Sequence, residues 1–323
     1  MDAEDAAPAK NSNLRTGSAS VFHFGVANTF VPSNPLRRIG TSWLVTANDG
    51  AAMTQLRINR ESSSLWIATF DNPPINLIDT DTIVEVQSLL TELEADADVK
   101  VIVFRSADPD FFLAHWDVLA DKRRTAALPS GPSGLHPWLD VLVRIARAPV
   151  VSIAEIRGRA RGAGSEFALA CDMRFASLER AILGQFEVGV GAVPGGNPMV
   201  RLAGLMGRGR AMEVVLGADD FSGALAERYG YVNRALPDSE LADFVDSLAR
   251  RLAGFEKHAI VHAKALLDLA SLPPDAVFPP ALAAFLQSIA RPGAQARIGR
   301  LLSRGLQQRT PVELSLGKVV AEG

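Results

Sequence analysis

The alternation of hydrophobic and polar positions becomes regular only after residue 52. Four segments then have strand character, either because they alternate or because they are short apolar runs typical of buried strands: residues 53–58, 65–70, 100–104 and 149–154. The break Asp71-Asn72-Pro73-Pro74 directly follows the second of them. These segments predict strands that belong to one sheet-containing core.

Helical periodicity fills the intervals between these strands. Residues 82–94 place apolar side chains three and four positions apart, which predicts an amphipathic helix. Thr82 and Glu85 have the spacing of a capping box at its start. Residues 137–147 are a second predicted helix. Strands that alternate with helices favour the α/β class.

The balance between strands and helices changes along the chain. Residues 173–176 still have strand character, whereas beyond residue 198 we expect the strands to stop and helices to take over. The pattern predicts an α/β core over residues 53–255 and a helical C-terminal region over residues 256–323.

The first 52 residues have no sustained period and are rich in Ser, Asn, Thr, Ala, Gly and Pro. Such a composition is typical of a disordered extension. Met53 begins the first predicted strand and is a candidate for the true start of translation. A genuine flexible tail is the alternative interpretation.

Composition narrows the class of protein further. With 323 residues, of which 48% are hydrophobic, the chain can fill a substantial core. A net charge of −3 does not indicate a nucleic-acid or membrane-surface partner, and no apolar run approaches the roughly 18 residues of a membrane span. The single cysteine, Cys171, excludes an intrachain disulfide, and the acidic N-terminus is unlike a secretory signal. We therefore expect a cytoplasmic protein that binds neither nucleic acid nor membrane.

The candidate chemistry lies in residues 156–172, which follow a predicted buried strand and lead into a short helix. The small residues Gly162, Ala163 and Gly164 let a ligand approach bare backbone. A helix N-terminus there offers unpaired N–H groups, which suit a carbonyl oxygen that gains negative charge. Ordinary turn chemistry is the other interpretation of such a glycine-rich segment.

This segment resembles the signature of the enoyl-CoA hydratase/isomerase, or crotonase, family. In that signature, Asn-Gly-x-x-x-Gly-Gly-Gly-x-Glu leads into a short helix that ends in Cys-Asp. Four further segments resemble family motifs and occur in the family's order: residues 72–76, 112–117, 184–196 and 224–232. The resemblance spans about residues 54–270.

The resemblance implies a crotonase-like (ClpP/crotonase) ββα spiral core, followed by a helical region, that assembles as a homotrimer or hexamer. It implies an enzyme of fatty acid metabolism that acts on an acyl-CoA thioester, with enoyl-CoA hydratase as the leading function. Coenzyme A arrives with the substrate, so we expect neither a separate cofactor nor a metal. An enoyl-CoA isomerase, another crotonase-type lyase and a catalytically silent acyl-CoA-binding homologue stay open as alternatives.

Carried over position by position, the resemblance assigns six residues to the site. They are the acid/base pair Glu166 and Glu187, the oxyanion-hole N–H donors Trp116 and Ala163, and the substrate contacts Ala114 and Gly162. Hydration needs one carboxylate to deprotonate water and one carboxyl to deliver a proton to the α-carbon. The N–H pair would stabilise the enolate oxygen formed in between.

Three positions depart from the family's pattern. His115 replaces a glycine and is either a loop hydrogen-bonder or a group that acts on substrate. Trp116 replaces an alanine, so we expect its indole to narrow or block the acyl pocket. Ala163 replaces the central glycine of a triplet, which costs about 1–2 kcal/mol if that residue has a positive φ and nothing if φ is negative.

Four charged residues have either a structural role or a functional one. Arg157, Arg159 and Arg161 alternate along an extended segment, so they either meet the phosphates of coenzyme A or are solvated loop charges. We expect Asp117 to brace its loop or cap the following helix rather than to act directly.

Overall fold

The computed structural model describes residues 54–322, and the predicted N-terminal extension lies outside the described residues. The strands of this part are β1 (Leu56–Arg60), β2 (Leu65–Phe70), β3 (Val101–Ser106), β4 (Phe111–Leu113), β5 (Val151–Ile156), β6 (Arg159–Arg161), β7 (Met173–Ser177), β8 (Ile182–Gly184), β9 (Asp220–Ser222) and β10 (Arg234–Leu236). The helices are α1 (Thr80–Ala95), α2 (Lys122–Ala127), α3 (Pro137–Arg147), α4 (Ala163–Ala170), α5 (Pro198–Gly217), α6 (Gly223–Tyr229), α7 (Asp238–Ala253), α8 (Lys257–Ser271), α9 (Phe278–Ile289), α10 (Pro292–Ser303), α11 (Pro311–Leu314) and α12 (Leu316–Ala321).

Two sheets organise the α/β core. The larger sheet has the order β1-β2-β3-β5-β7-β10 and is antiparallel only between β1 and β2. The smaller sheet has the order β4-β6-β8-β9 and is antiparallel only between β8 and β9. Parallel neighbours need crossover connections, and helices supply several of them, as the alternating pattern predicts. The α/β class is therefore confirmed.

The predicted strands before residue 198 are present, and β2 and α3 have the predicted bounds. The expectation that strands stop beyond residue 198 is wrong, because β9 and β10 follow it. Each has three residues, too few to show a period of two along the sequence. They become strands by pairing with β8 and β7, which is a tertiary contact. Beyond β10 the described part of the C-terminal region contains helices and short turns.

The start of α1 differs from the prediction. The N-cap is Asp79, whose side chain accepts from the Thr82 N–H, while the Thr82 side chain accepts from the Asp79 N–H. This reciprocal pair is the capping box, so the predicted box of Thr82 with Glu85 is wrong. The Glu85 carboxylate instead accepts from the N–H groups of Gln55 and Leu56 and ties β1 to α1.

An aromatic cluster fixes the position of α4. Phe167 on α4 packs edge-on against Phe70 of β2 and Phe104 of β3, with ring centroids 5.2 and 5.0 Å apart. All eight residues of α4 are buried. Truncating such a buried ring to alanine typically costs about 3–5 kcal/mol. The N-terminus of α4 is therefore held rigidly relative to both strands.

No single helix among residues 54–322 has the length and hydropathy required to cross a membrane. The segments Lys257–Ser271 and Asp275–Ile289, bent by 46° relative to each other, meet those two requirements only as a pair.

Candidate active site

The turn into α4 brings the helix N-terminus against the smaller sheet. Gly162 has φ 49°, a conformation that favours glycine, and is the N-cap of α4. A Cβ on Gly164 would lie 1.9 Å from the carbonyl oxygen of Leu113, so only glycine allows this approach. Ala163 is the first helical residue and is not among the residues with positive φ. Alanine at this position is therefore unstrained.

The two candidate oxyanion donors are backbone N–H groups without a helical or ladder acceptor. As the first residue of α4, Ala163 has no intrahelical acceptor for its N–H. Ile78 and Trp116 form an isolated parallel β-bridge. The Ile78 N–H donates to the His115 carbonyl, and the Ile78 carbonyl accepts from the Asp117 N–H. Successive N–H groups of an extended segment point to opposite sides, so the Trp116 N–H points away from Ile78. Neither N–H group donates to another loop or turn carbonyl among residues 54–322, which leaves both for a carbonyl oxygen of a ligand.

Glu166 lies in the first turn of α4 and is 3% exposed. Its Oε2 accepts from Nε1 of Trp138, at 2.9 Å, and its Oε1 accepts from the N–H of Gly196, at 2.8 Å. Burial raises the pKa of Glu166, and these two hydrogen bonds oppose that rise because they stabilise the ionised form. Glu166 is thus held as a two-point acceptor.

Glu187 is also buried, but its surroundings favour the protonated form. It begins the 3₁₀ turn Glu187–Val190, and its Oε2 has no hydrogen-bond partner among the described residues. Burial and the nearby charge of Glu166 raise the pKa of Glu187 to about 8. A Cβ on Gly162 would lie 2.7 Å from Oε1 of Glu187, so this carboxyl faces the N-cap of α4. The two glutamates therefore lie beside the helix N-terminus, where burial and the charge of Glu166 raise the pKa of Glu187.

The indole of Trp116 belongs to the same site. It is half-buried, and its ring lies 6.5 Å from the ring of Trp138 at an interplanar angle of 61°. Trp138 is the residue that donates to Glu166. The Trp116 side chain therefore contacts the residue that holds the Glu166 carboxylate.

His115 is a structural hydrogen-bonder. It is 1% exposed; its Nδ1 donates to the Trp116 carbonyl and its Nε2 lies 3.2 Å from Oε2 of Glu313. Both nitrogens are committed to protein groups, which favours the loop role over direct action on substrate. The Asp117 carboxylate accepts from the Leu119 N–H, which confirms that it braces its own loop.

The backbone groups of the two predicted substrate contacts, Ala114 and Gly162, form hydrogen bonds within the chain. The Ala114 N–H donates to the Asn76 carbonyl, and the Ala114 carbonyl accepts from the Arg161 N–H. The Gly162 N–H donates to the Gly184 carbonyl. Contact of Ala114 and Gly162 with substrate stays a prediction. The N–H groups of both residues already donate within the chain, so a substrate would have to contact their carbonyl oxygens or carbon atoms.

The three alternating arginines bind groups of this chain. Arg161 is 1% exposed and forms a two-point ion pair with Asp220, so the interpretation as a solvated charge is wrong for it. Arg157 pairs with Glu155 and Asp238, and Arg159 donates to backbone carbonyls. These pairings do not favour a role in binding phosphate.

Two site residues were not predicted from the sequence. Trp138 and Glu313 have no local signal, because their partners Glu166 and His115 lie 28 and 198 residues away in the sequence. Gly196 belongs to a predicted motif, yet its role as the donor to Glu166 was not predicted. Within residues 54–322, no group of three His, Cys, Asp or Glu side chains is arranged to hold a metal ion.

The sequence is similar to a described protein family and to several of its members. The model of the family described as enoyl-CoA hydratase/isomerase matches residues 60–275. The short-chain-enoyl-CoA hydratase of Clostridium acetobutylicum is 29% identical over 212 residues, covering 65% of this chain and 80% of that protein. The crotonyl-CoA hydratase of Syntrophomonas wolfei is 30% identical over 191 residues, covering 59% of this chain and 72% of that protein.

A solved structure extends the similarity to the fold. A Streptomyces avermitilis protein, provisionally described as an enoyl-CoA hydratase, is 43% identical to this chain, with a TM-score of 0.79. The similarity covers 83% of this chain and 97% of that structure.

Proposed function

The chain belongs to the enoyl-CoA hydratase/isomerase family, and from this premise we propose that it is an enoyl-CoA hydratase. The observation that carries the proposal is the pair of buried carboxyl groups of Glu166 and Glu187 beside the N-terminus of α4. Two carboxyls with unequal proton affinity are what the addition of water to a 2-enoyl thioester requires.

The oxyanion hole consists of the N–H groups of Trp116 and Ala163. As water adds to C3, negative charge moves onto the thioester oxygen, and the two donors stabilise that charge. Both are fixed before the reaction, Ala163 by the packing of α4 and Trp116 by the bridge to Ile78. Removing one such donor typically costs about 2.7–4 kcal/mol of barrier stabilisation.

The two glutamates divide the proton transfers. Glu166, stabilised as an anion by Trp138 and Gly196, takes a proton from water while the water oxygen bonds to C3. Glu187, protonated near neutral pH, gives its proton to C2 of the enolate. After the reaction Glu166 is protonated and Glu187 is ionised. Transfer of the proton from Glu166 to Glu187 through water restores the starting state.

A turnover assay tests the proposal. Purified protein is incubated with crotonyl-CoA and with longer enoyl-CoAs, and loss of the enoyl thioester absorbance is followed. Hydration adds one water to the product mass, whereas isomerisation leaves the mass unchanged, so mass spectrometry separates these reactions.

A silent acyl-CoA-binding homologue is the second candidate. The near-complete burial of both glutamates favours it, since a substrate must displace part of their surroundings to reach them. Binding of crotonyl-CoA without turnover would support this candidate and contradict the hydratase.

The pH dependence of hydration should follow Glu187. Because burial and the charge of Glu166 raise its pKa to about 8, Glu187 is protonated below that pH and loses its transferable proton above it. We expect kcat/KM to fall about tenfold per pH unit above pH 8. The measurement is a pH–rate profile with crotonyl-CoA, together with a stability control at each pH. A flat profile through this range would contradict the assignment of Glu187 as the acid.

We also propose that the chain assembles as a homotrimer or hexamer. Helix α8 has no buried residue and exposes Leu266, Leu267 and Leu269, the last of them by 85%. Helix α5 exposes Leu205 and Leu216. Apolar helix faces of this kind are typical of protein–protein contacts, and a second copy of this chain is the occupant that the family resemblance implies.

Light scattering on a sizing column should give three or six times the chain mass of 34.5 kDa. The variant Leu269→Glu should shift the mass toward that of one chain, because it would bury a charge in the contact. Val84→Glu on α1 introduces the same charge at another exposed apolar position and is the control. A parent that elutes as a monomer would contradict the proposal. The cytoplasmic location and the absence of a separate cofactor stay predictions of the sequence.

A further inference from the structure

His115 belongs to the oxyanion loop, which we define as residues 112–117, and forms a buried pair with Glu313. Both side chains are 1% exposed, and Nε2 of His115 lies 3.2 Å from Oε2 of Glu313. Glu313 belongs to α11 and lies outside the residues that the family model matches. None of the proton transfers proposed above uses this pair.

The contacts of His115 fix the peptide units on both sides of Trp116. Nδ1 of His115 donates to the Trp116 carbonyl at 2.8 Å, and the His115 carbonyl accepts from the Ile78 N–H at 2.9 Å. The Trp116 N–H belongs to the same planar peptide unit as the His115 carbonyl. Its direction is therefore set by the hydrogen bonds that hold His115.

Glu313 also contacts the strand that leads to the second donor. Its backbone carbonyl accepts from Nη1 of Arg161, at 2.8 Å, and Arg161 ends β6 directly before Gly162 and Ala163. Its carboxylate accepts from the Gln307 N–H, at 2.9 Å, and the Gln307 side chain donates to Asp117. One residue of α11 thus touches the supports of both oxyanion donors.

We propose that Glu313 is a positioning residue of the oxyanion hole, whose carboxylate acts through His115 to set the direction of the Trp116 N–H group. The proposal rests on the hydratase function proposed above. Burial opposes the charged form of His115, but the Glu313 carboxylate and the Trp116 carbonyl together outweigh it and raise the pKa of His115. Burial likewise opposes ionisation of Glu313, yet the charge of His115 lowers the pKa of that carboxyl. Both directions agree with an ionised pair.

The test compares Glu313→Gln with His115→Gln, with the double variant His115→Gln/Glu313→Gln and with Glu322→Gln. The double variant removes both charges, so it leaves no unpaired buried charge that would prevent folding. Glu322 directly follows α12, pairs with Arg304 at the surface and gives the matched control. Complete loss of a donor costs about 10²–10³ in kcat, so a misdirected donor should cost roughly tenfold with KM little changed. The double variant should lose no more than His115→Gln alone, because Glu313 acts through His115.

Two readouts do not depend on turnover. A bound cinnamoyl-CoA, whose absorbance band moves to longer wavelength when its carbonyl is polarised, should show a smaller shift in Glu313→Gln. Amide hydrogen exchange of residues 112–117 should be faster in Glu313→Gln than in the parent, with global stability taken into account, and unchanged in Glu322→Gln. Parent-like kcat, band position and loop exchange in Glu313→Gln would overturn the proposal. A parent that neither binds nor hydrates enoyl-CoA would contradict the hydratase function, and loop exchange would still decide whether Glu313 positions the loop.

Discussion

Glu166→Gln and Glu187→Gln should each lower kcat for hydration by about a hundredfold or more. General acid/base groups typically contribute a factor of about 10²–10⁴, and an amide can neither take a proton from water nor give one to carbon at neutral pH. The measurement is the rate of crotonyl-CoA loss at saturating substrate. Glu227→Gln, an exposed change on α6, is the matched control and should leave kcat unchanged. Near-normal turnover in both site variants would refute the acid/base assignment.

The two variants should differ in stability, which separates catalysis from folding. Glu166 accepts from two fixed donors, Trp138 and Gly196, so in Glu166→Gln one of these donors faces the amide NH₂. We expect a loss of about 1–3 kcal/mol in the free energy of unfolding. Glu187 has an oxygen without a hydrogen-bond partner among the described residues, so Glu187→Gln should be tolerated far better.

The pH dependence of melting gives a second signature for Glu187. The native state holds the Glu187 proton up to about pH 8, whereas the unfolded chain releases it near 4.5. The parent therefore loses stability as the pH rises through this interval, and Glu187→Gln does not. We expect the Tm of the variant, relative to the parent, to rise from mildly acidic to mildly alkaline pH. A constant difference would mean that the Glu187 pKa is close to its ordinary value.

Trp116→Ala should shift the substrate preference toward longer or branched acyl chains by about 10–200-fold in the ratio of kcat/KM values. Its backbone N–H is retained, so the oxyanion donor survives while the volume of the indole becomes free. The indole packs beside Trp138, which holds Glu166, and therefore occupies space next to the reacting atoms. One or two additional methylene groups would then fit where the ring was.

The preference ratio is the measured quantity because any general loss of kcat from a loosened Trp138 cancels in it. Kinetics with a short and a long enoyl-CoA are compared for the parent, Trp116→Ala and the smaller change Trp116→Phe, which should give an intermediate ratio. An unchanged ratio in Trp116→Ala would show that the indole points away from the acyl chain. Activity that appears only on removal of the indole from an inactive parent would favour the silent-homologue interpretation.

The sequence alone determined the fold class and the family, because both depend on local and ordered features. The bounds of β2 and α3 follow from apolar periodicity and adjacent proline and glycine residues. The motif around Gly162–Glu166 indicated the helix N-terminus and Glu166, and the motif at residues 184–196 indicated Glu187. Short strands such as β9 and β10 escaped this reading because three residues carry no period and their pairing partners lie elsewhere.

Only the tertiary structure decided which groups set the chemistry of the site. Burial and the charge of Glu166 raise the pKa of Glu187, and the Glu166 carboxylate accepts from Trp138, which no spacing along the chain relates to it. His115 supports its loop because its side chain is held by Glu313, which lies 198 residues away in the sequence. Ala163 proved unstrained because its φ is set by the packing of α4. Hydrogen bonds and desolvation act over a few ångströms in space, and residues distant in sequence meet at that range only after folding.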